Sequence, residues 1–245
     1  MLVSTQALAL RAIKYTDNSR VVKLYTRQLG MQSYLVQGIH KPKSAITMAH
    51  FQPLTELEVV VYHKPGGALQ RIKEARSLNT DGHGFHYDVA KSSVAMFLCE
   101  LLYHSIQEEE PNEALYVWLQ NSTRFLNAHQ GALGLFPHWL MVHLSAYLGF
   151  FPLEPEASLL DKDKVFDLEE GAFLPSWAAP RKSMASAQAC LLHRLMQSKR
   201  EEASRLNIES AEKRQLLQRL LRYYQLQMPG FQRMKTSEVL EQLSG

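Results

Sequence analysis

The sequence predicts an α+β protein of more than one domain, with a five-stranded β-barrel followed by an all-helical C-terminal domain. Apolar residues alternate with polar ones over residues 3–78, which is typical of strands. From about Tyr87 the apolar residues recur with helical spacing, and a Gly-containing stretch, TDGHG at 80–84, separates the two patterns. We therefore expect domains at 1–80 and 81–245.

Five strand patterns make up the first domain, at about 4–15, 20–28, 31–39, 54–63 and 68–77. The alternation of the first slips between Ala12 and Ile13, which predicts a bulge there. A short helix is expected within 44–52. Five strands with a helical insert after the third match the order of an OB-fold barrel. A small SH3-like barrel fits the strand count nearly as well, and the insert favours the OB-fold.

The second domain is predicted to be helical, with an irregular insert at about 151–180. Helical patterns follow Tyr87, Pro111 and Pro137, and others cover 183–199, 210–227 and 237–243. The insert contains four prolines, and the turn sequence EEG at 169–171 lies between two short apolar runs, 165–168 and 172–174. This pattern predicts a small hairpin within the helical domain.

Composition indicates a soluble cytoplasmic protein that binds an anion. No apolar run approaches the roughly 20 residues of a spanning helix, no signal peptide is expected, and the two cysteines fall in apolar helical patterns. Residues 1–80 hold eleven Lys/Arg and four Asp/Glu, so the positive charge is concentrated in the first domain. Nucleic acid is the usual partner of such a module, and no amphipathic basic helix supports a membrane surface instead.

No motif for catalysis or metal binding stands out. The chain has no P-loop, no G-x-S-x-G and no H-E-x-x-H sequence. His83 and His86 fit solvated loop residues better than metal ligands, and His138 and His143 are five residues apart, too far along one helix to share an ion. We expect a protein that is not an enzyme and that holds no metal and no cofactor.

The stretch 19–44 contains the best candidates for contact with a polyanion. Alternation along the second strand places Lys23, Tyr25 and Arg27 on one face. Single strands bind to cations that neutralise phosphates and to aromatic rings that stack on bases. The predicted DNA-binding residues are Arg20, Lys23, Tyr25, Arg27, Lys41 and Lys43. The alternatives are that these cations only solvate the outer barrel face, and that Tyr25 packs inside the barrel.

Aromatic residues of the helical domain are expected to lie mainly in its core. A subset, including Trp139, would form a groove for the apolar end of a partner peptide if a cation lay nearby for its carboxylate. Arg124 and His138 are the candidates for that cation.

The chain resembles the bacterial recombination mediator family RecO over almost its full length. The resemblance rests on LYT at 24–26, Gly30, Gly38, KPKS at 41–44 and FQP at 51–53. Further along it rests on LSAYLGFFP at 144–152, FDLEEGAFL at 166–174 and MKTSEVL at 234–240. The order of these pieces along the chain is more specific than any one of them.

The resemblance implies an N-terminal OB-fold on a helical domain, and a role in DNA repair and recombination. It implies binding of single- and double-stranded DNA, annealing without ATP, and help in loading RecA on gaps covered by single-strand-binding protein. The implied partners are RecR and the acidic C-terminal tail of single-strand-binding protein. Arg20, Arg27, Lys41 and Lys43 match the DNA-contacting positions, and the segment 136–144 matches the tail site, with His138 where other members place an arginine.

One departure from the family is that the insert lacks the four zinc-binding cysteines that many members carry. The hairpin is then expected to be held by packing, with Phe166, Leu168, Phe173 and Trp177 as candidates. Two other functions remain as alternatives: an RNA-binding OB-fold module, and an enzyme whose site is assembled from scattered residues.

Overall fold

The computed structural model describes residues 1–39, 45–66, 69–78, 87–106, 110–156 and 163–243. The chain divides into two compact units, Met1–His129 and Gln130–Gly245. Among the described residues, the first unit contains a β-barrel and two α-helices, and the second contains five α-helices and a small sheet.

The barrel of the first unit is closed by five strands. They are β1 (Leu2–Thr16), β2 (Ser19–Thr26), β3 (Gly30–Gln37), β4 (Glu56–Tyr62) and β5 (Gln70–Ser77). Their order around the barrel is β1-β2-β3-β5-β4, and only β3 and β5 pair in parallel. A one-turn 3-10 helix, Met48–Phe51, takes the place of the predicted insert helix. The prediction of an OB-fold barrel is confirmed.

Alternation along the strands decides which side chains fill the barrel. The interior contains, among others, Val22 and Leu24 of β2, Tyr34 and Val36 of β3, and Leu57, Val59 and Val61 of β4. The bulge predicted between Ala12 and Ile13 is wrong in position. The pairing of β1 with β2 shifts instead between Ala9 and Arg11 and again between Lys14 and Thr16.

Two helices, α1 (Val89–Ser105) and α2 (Glu113–Ala128), complete the first unit. Each begins at a side-chain cap: Asp88 accepts a hydrogen bond from the Lys91 amide, and Asn112 accepts one from the Leu115 amide. Both helices lie against the barrel, so the compact unit extends past the predicted boundary at residue 80. The thiol of Cys99 on α1 donates to the Ala9 carbonyl of β1 at 3.7 Å.

The second unit is built from α3 (Phe136–Tyr147), α4 (Ser186–Gln197), α5 (Arg200–Arg205), α6 (Ser210–Gln227) and α7 (Thr236–Leu243). The insert forms a sheet of β6 (Lys164–Asp167), β7 (Ala172–Pro175) and β8 (Ser183–Met184), in the order β7-β6-β8. The helical domain with a small hairpin is thus confirmed. The third strand of the insert and the short helix α5 were not predicted.

Packing holds the insert, although not through all the residues expected. The Phe166 ring lies 5.0 Å from that of Phe173 and 5.3 Å from that of Tyr223 on α6, and Leu168 is buried. Trp177, in contrast, has 87% of its surface exposed, so its predicted role in packing the hairpin is wrong.

Within the described residues, no helix is both long and apolar enough to cross a membrane. Cys99 and Cys190, the two cysteines of the sequence, are not joined in a disulfide.

Candidate nucleic-acid interface

A band of exposed and half-buried side chains crosses the outer face of the barrel over four strands. Ile13 of β1 pairs with Val21 of β2, Val21 pairs with Leu35 of β3, and Leu35 pairs with Arg71 of β5. Two residues after Val21 on the same strand, Lys23 lies between Arg11 of β1 and Ser33 of β3. We call this surface the outer strip and define it by eight residues: Arg11, Ile13, Tyr15, Val21, Lys23, Ser33, Leu35 and Arg71.

The outer strip combines cations with exposed apolar surface. Tyr15 is 63% exposed and Ile13 is 44% exposed. The ammonium group of Lys23 donates to Ser33 Oγ at 3.1 Å, which holds the cation over the sheet. Arg71 is exposed, and no residue that the structure describes forms a hydrogen bond or ion pair with its guanidinium. Because neighbouring strands are about 4.8 Å apart, the row from Ile13 to Arg71 spans roughly 14 Å.

Arg20 lies at the end of the β1–β2 hairpin and points toward its turn. Its guanidinium donates to the carbonyls of Thr16 and Ser19 at 3.2 and 3.1 Å. The Gly38 amide donates to the Asn18 carbonyl at 2.9 Å, so the chain leaves β3 beside this turn. Lys41 and Lys43 follow Gly38 in sequence and lie outside the described residues.

The expectation that Tyr25 faces the ligand is corrected by the structure. Tyr25 does share the outer side of β2 with Lys23, but helix α2 covers it there and leaves 1% of it exposed. Its ring lies 6.3 Å from that of Tyr116, and its hydroxyl donates to the Asn112 carbonyl at 3.4 Å. Burial raises the pKa of the phenol to about 12. Tyr25 thus packs the barrel against α2 and has no ring face open to a base.

Arg27 is accessible, but it already has an acidic partner. Its guanidinium binds the carboxylate of Glu113 at the start of α2 and donates to Gln6 Oε1 at 3.4 Å. The hydrogen bond to Glu113, followed by its charge, raises the pKa of Arg27. The hollow around Arg27 is also lined by Glu58, so this end of β2 is less suited to phosphate than the outer strip.

Arg124 stabilises the fold, because it neutralises a carboxylate that is fully buried. Glu56 has no exposed surface, and its oxygens accept hydrogen bonds from Arg124 at 3.0 to 3.3 Å and from Gln120 at 3.0 Å. Glu56 is covered by α2, which carries both Gln120 and Arg124. The Arg124 guanidinium is committed to this carboxylate, although the Arg124 side chain is 55% exposed, so a role in binding the carboxylate of a peptide stays a prediction.

His138 and Trp139 are core residues of the second unit. This corrects the expectation that they lie on a surface that binds the tail. His138 is 2% exposed, and its Nε2 bonds to the Lys213 carbonyl at 2.9 Å. Burial lowers the pKa of His138 to about 4, so it is neutral near pH 7 and offers no positive charge. Trp139 is 5% exposed, and its indole N–H donates to the Ser198 carbonyl at 2.9 Å.

Of the outer strip, sequence reasoning named Lys23 as a candidate and did not name Arg11, Tyr15 or Arg71, and all four stay predictions as DNA contacts. The spacing of Arg11, Ile13 and Tyr15 by two residues is a signal for one face of β1, and it could have been read as such. Arg71 becomes their neighbour only when β3 pairs with β5, so no local pattern shows its place.

Comparison with known proteins gives a consistent result over the whole chain. Residues 1–80 match the family model described as recombination protein O N terminal, and residues 86–158 match that for recombination protein O C terminal. A DNA repair protein RecO from Flavobacterium psychrophilum is 35% identical over 99% of both chains. Proteins of the same name from Flavobacterium johnsoniae and Christiangramia forsetii are each 30% identical, over 99% and 100% of both chains respectively.

Proposed function

The chain belongs to the RecO family, and on this premise we propose that it is a DNA-binding mediator of recombination in DNA repair. In this role it binds single- and double-stranded DNA and anneals complementary strands without ATP. Together with RecR it assists the loading of RecA on gaps covered by single-strand-binding protein. It acts by binding rather than by catalysis, and DNA bound to it would place it at the nucleoid.

The outer strip is the observation that carries this proposal. Arg11 and Lys23 lie along one side of the row Ile13–Val21–Leu35, Arg71 ends that row, and the exposed Tyr15 follows Ile13 by two residues on β1. Cations on a barrel surface bind the phosphate backbone without reading sequence, and an exposed ring stacks on any base. Binding that tolerates all sequences is what annealing and mediation require, since both act wherever a gap occurs.

Annealing also requires that two polyanions approach each other. Each phosphate bound by a lysine or arginine releases its condensed counterions, which favours binding and lowers the charge that opposes pairing. Arg20, Lys41 and Lys43 belong to the same proposal as contacts at the hairpin end of the barrel. Arg27 joins them only if DNA displaces Glu113. None of these contacts needs ATP.

The acidic tail of single-strand-binding protein remains a proposed partner. His138 is buried and neutral and so offers no charge to the tail, and any contribution of Arg124 has to coexist with its ion pair to Glu56. Titration with an acidic peptide that ends in Phe tests this part of the proposal. Detectable binding is expected to survive His138→Gln if the fold is kept, and the absence of binding to wild type would remove the tail from the list of partners.

The test of the main proposal is the annealing of fluorescent complementary oligonucleotides without ATP. Wild type is expected to accelerate annealing, and Lys23→Gln/Arg71→Gln to slow it by an order of magnitude or more at moderate salt. Arg76→Gln is a matched control, because Arg76 is a barrel cation outside the outer strip that pairs with Glu58 at 3.3 Å. The control should anneal like wild type.

If wild type does not accelerate annealing and does not bind DNA, the proposal is wrong. If the control slows annealing as much as the double variant does, net charge rather than the outer strip is responsible. Preference for RNA over DNA of the same sequence would favour the RNA-binding alternative.

A further inference from the structure

The connection between β7 and β8 carries an aromatic side chain that the fold does not use. Both strands run antiparallel to β6, which lies between them, so they run parallel to each other. A connection between parallel strands of one sheet has to cross over a face of that sheet. Residues 176–182 make this crossover, beginning with the one-turn 3-10 helix Ser176–Ala178.

The crossover is fixed at several points along its length. The Ala179 amide donates to the Ser176 carbonyl at 3.2 Å, and Ser183 Oγ donates to the Pro180 carbonyl at 2.9 Å. The Leu168 amide donates to the Lys182 carbonyl at 3.0 Å, which ties the end of the crossover to the β6–β7 turn. Trp177 is therefore carried on a backbone held by hydrogen bonds, so little backbone entropy has to be lost on binding.

The side chain of Trp177 faces solvent and does not pack against the sheet. It is 87% exposed, and its ring contacts no aromatic or cationic group among the described residues. Its neighbours Ala178 and Ala179 are small and exposed, so they leave the ring faces open. A tryptophan buries on the order of 150–250 Å² when it packs, and this stabilisation is forgone here.

The groups around Trp177 have the charge that suits an anionic ligand. Residues 176–182 contain two cations and no acid. Arg181 is exposed and makes no hydrogen bond or ion pair within the described part of the chain, whereas Lys182 pairs with Glu169 at 2.6 Å. Trp177 and Arg181 are four residues apart, so their Cα atoms lie within about 14 Å of each other.

A protein partner fits this surface less well than a nucleic acid does. Anchors of protein interfaces are surrounded by further apolar contacts. The other large apolar side chain that is exposed in the described part of the second unit is Leu153. The Leu153 amide bonds to the Gly171 carbonyl, just before β7 begins, whereas Trp177 follows the end of that strand. The indole thus stands apart from other exposed apolar side chains of the described second unit, four residues before a cation that has no described acidic partner.

We propose that Trp177 and Arg181 form a second contact for an unpaired nucleic-acid strand, in which the indole stacks on a base and the guanidinium binds a phosphate. The proposal rests on the proposed function, because it takes DNA as the ligand, and it adds a site on the second unit. A protein that anneals two strands gains from two places that can hold unpaired bases, one on each unit.

The test is the binding of a dye-labelled oligo-dT to the full-length chain, measured by anisotropy at fixed salt. Loss of a stacked base typically weakens binding by about 5- to 150-fold, so Trp177→Ala should raise the Kd within that range, and Trp177→Phe should restore most of the affinity. Arg181→Gln should lower the log–log salt slope by about 0.7. Leu153→Ala is the matched control, since it also removes an exposed apolar side chain of the second unit.

Each outcome decides a separate point. A wild type that binds no oligonucleotide overturns the proposed function and this inference together. A wild type that binds, with Trp177→Ala and Arg181→Gln binding equally well, overturns this inference alone. Trp177→Ala that binds DNA normally but loses RecR assigns the indole to a protein contact, which also overturns it. Melting curves that match wild type, as expected for so exposed a residue, show that the fold is kept.

Discussion

The environment of His138 makes the stability of the second unit depend on pH. His138 is 2% exposed, its Nε2 bonds to the Lys213 carbonyl, and its Nδ1 has no hydrogen-bond partner in the described structure. Burial lowers its pKa from the ordinary value of 6.5 to about 4. Because the folded state takes up the proton less readily than the unfolded state, folding is favoured above pH 6.5 and progressively less so below it.

The size of this effect follows from the two pKa values. With 6.5 for the unfolded state and about 4 for the folded state, the free energy of unfolding should fall by about 2 kcal/mol between pH 7 and pH 5. The full effect, reached below pH 4, is about 3 kcal/mol. Burial also lowers the pKa of His143, which bonds to the Leu195 carbonyl at 3.1 Å, so this residue contributes in the same direction.

The assay is urea unfolding followed by the fluorescence of Trp139, which lies next to His138 and is itself buried. Replacing Trp118 and Trp177 with Phe leaves Trp139 as the one reporter, and it reports on the second unit. His138→Gln in the same background should lose most of the pH dependence between pH 7 and pH 5. If the free energy of unfolding is the same at both pH values in wild type, or equally pH-dependent in His138→Gln, the reasoning is refuted.

Three further predictions concern the fold around the site, each measured as a free energy of unfolding. Arg124→Gln should lower it by about 2 kcal/mol, because the variant removes the charge partner of buried Glu56. Adding Glu56→Gln should recover much of this loss, and a double variant whose loss equals the sum of the two single losses would contradict the prediction. Gly134→Ala should cost more than Gly149→Ala, since a Cβ at Gly134 meets the Ser204 carbonyl whereas one at Gly149 meets nothing within 4 Å. Tyr25→Leu should cost about 2 kcal/mol and leave the Kd for DNA unchanged, and weaker binding by the folded variant would show that the ring reaches the ligand.

The sequence predicted the barrel and its strand order well because alternation is a local signal. The same signal placed Lys23 and Tyr25 on one side of β2, which agrees with Val22 and Leu24 facing the interior, whereas Arg27 follows the end of the strand. It does not show what covers that side. Tyr116 of α2, 91 residues away in sequence, decides that Tyr25 is buried, and no pattern within β2 contains this information.

The parts of the site that were missed depend on long-range pairing in the same way. Arg71 joins the outer strip only through the pairing of β3 with β5, and Glu56 is buried because Arg124 and Gln120 of α2 lie over it. His138 was considered as a surface cation, but α3 is buried on most of its surface, including both polar and apolar positions. Trp177 was expected inside because large aromatic residues usually are, and here the crossover turns it outward.

The central claim is that the outer strip of the barrel binds DNA through its cations, and its most direct test is the salt dependence of single-strand binding. Plots of log K against log salt should be linear for wild type, Lys23→Gln/Arg71→Gln and the control Arg76→Gln. The double variant loses two phosphate contacts, so its slope should be shallower than that of wild type by about 1.4, with the control unchanged. Equal slopes and equal affinities for all three proteins would contradict the claim.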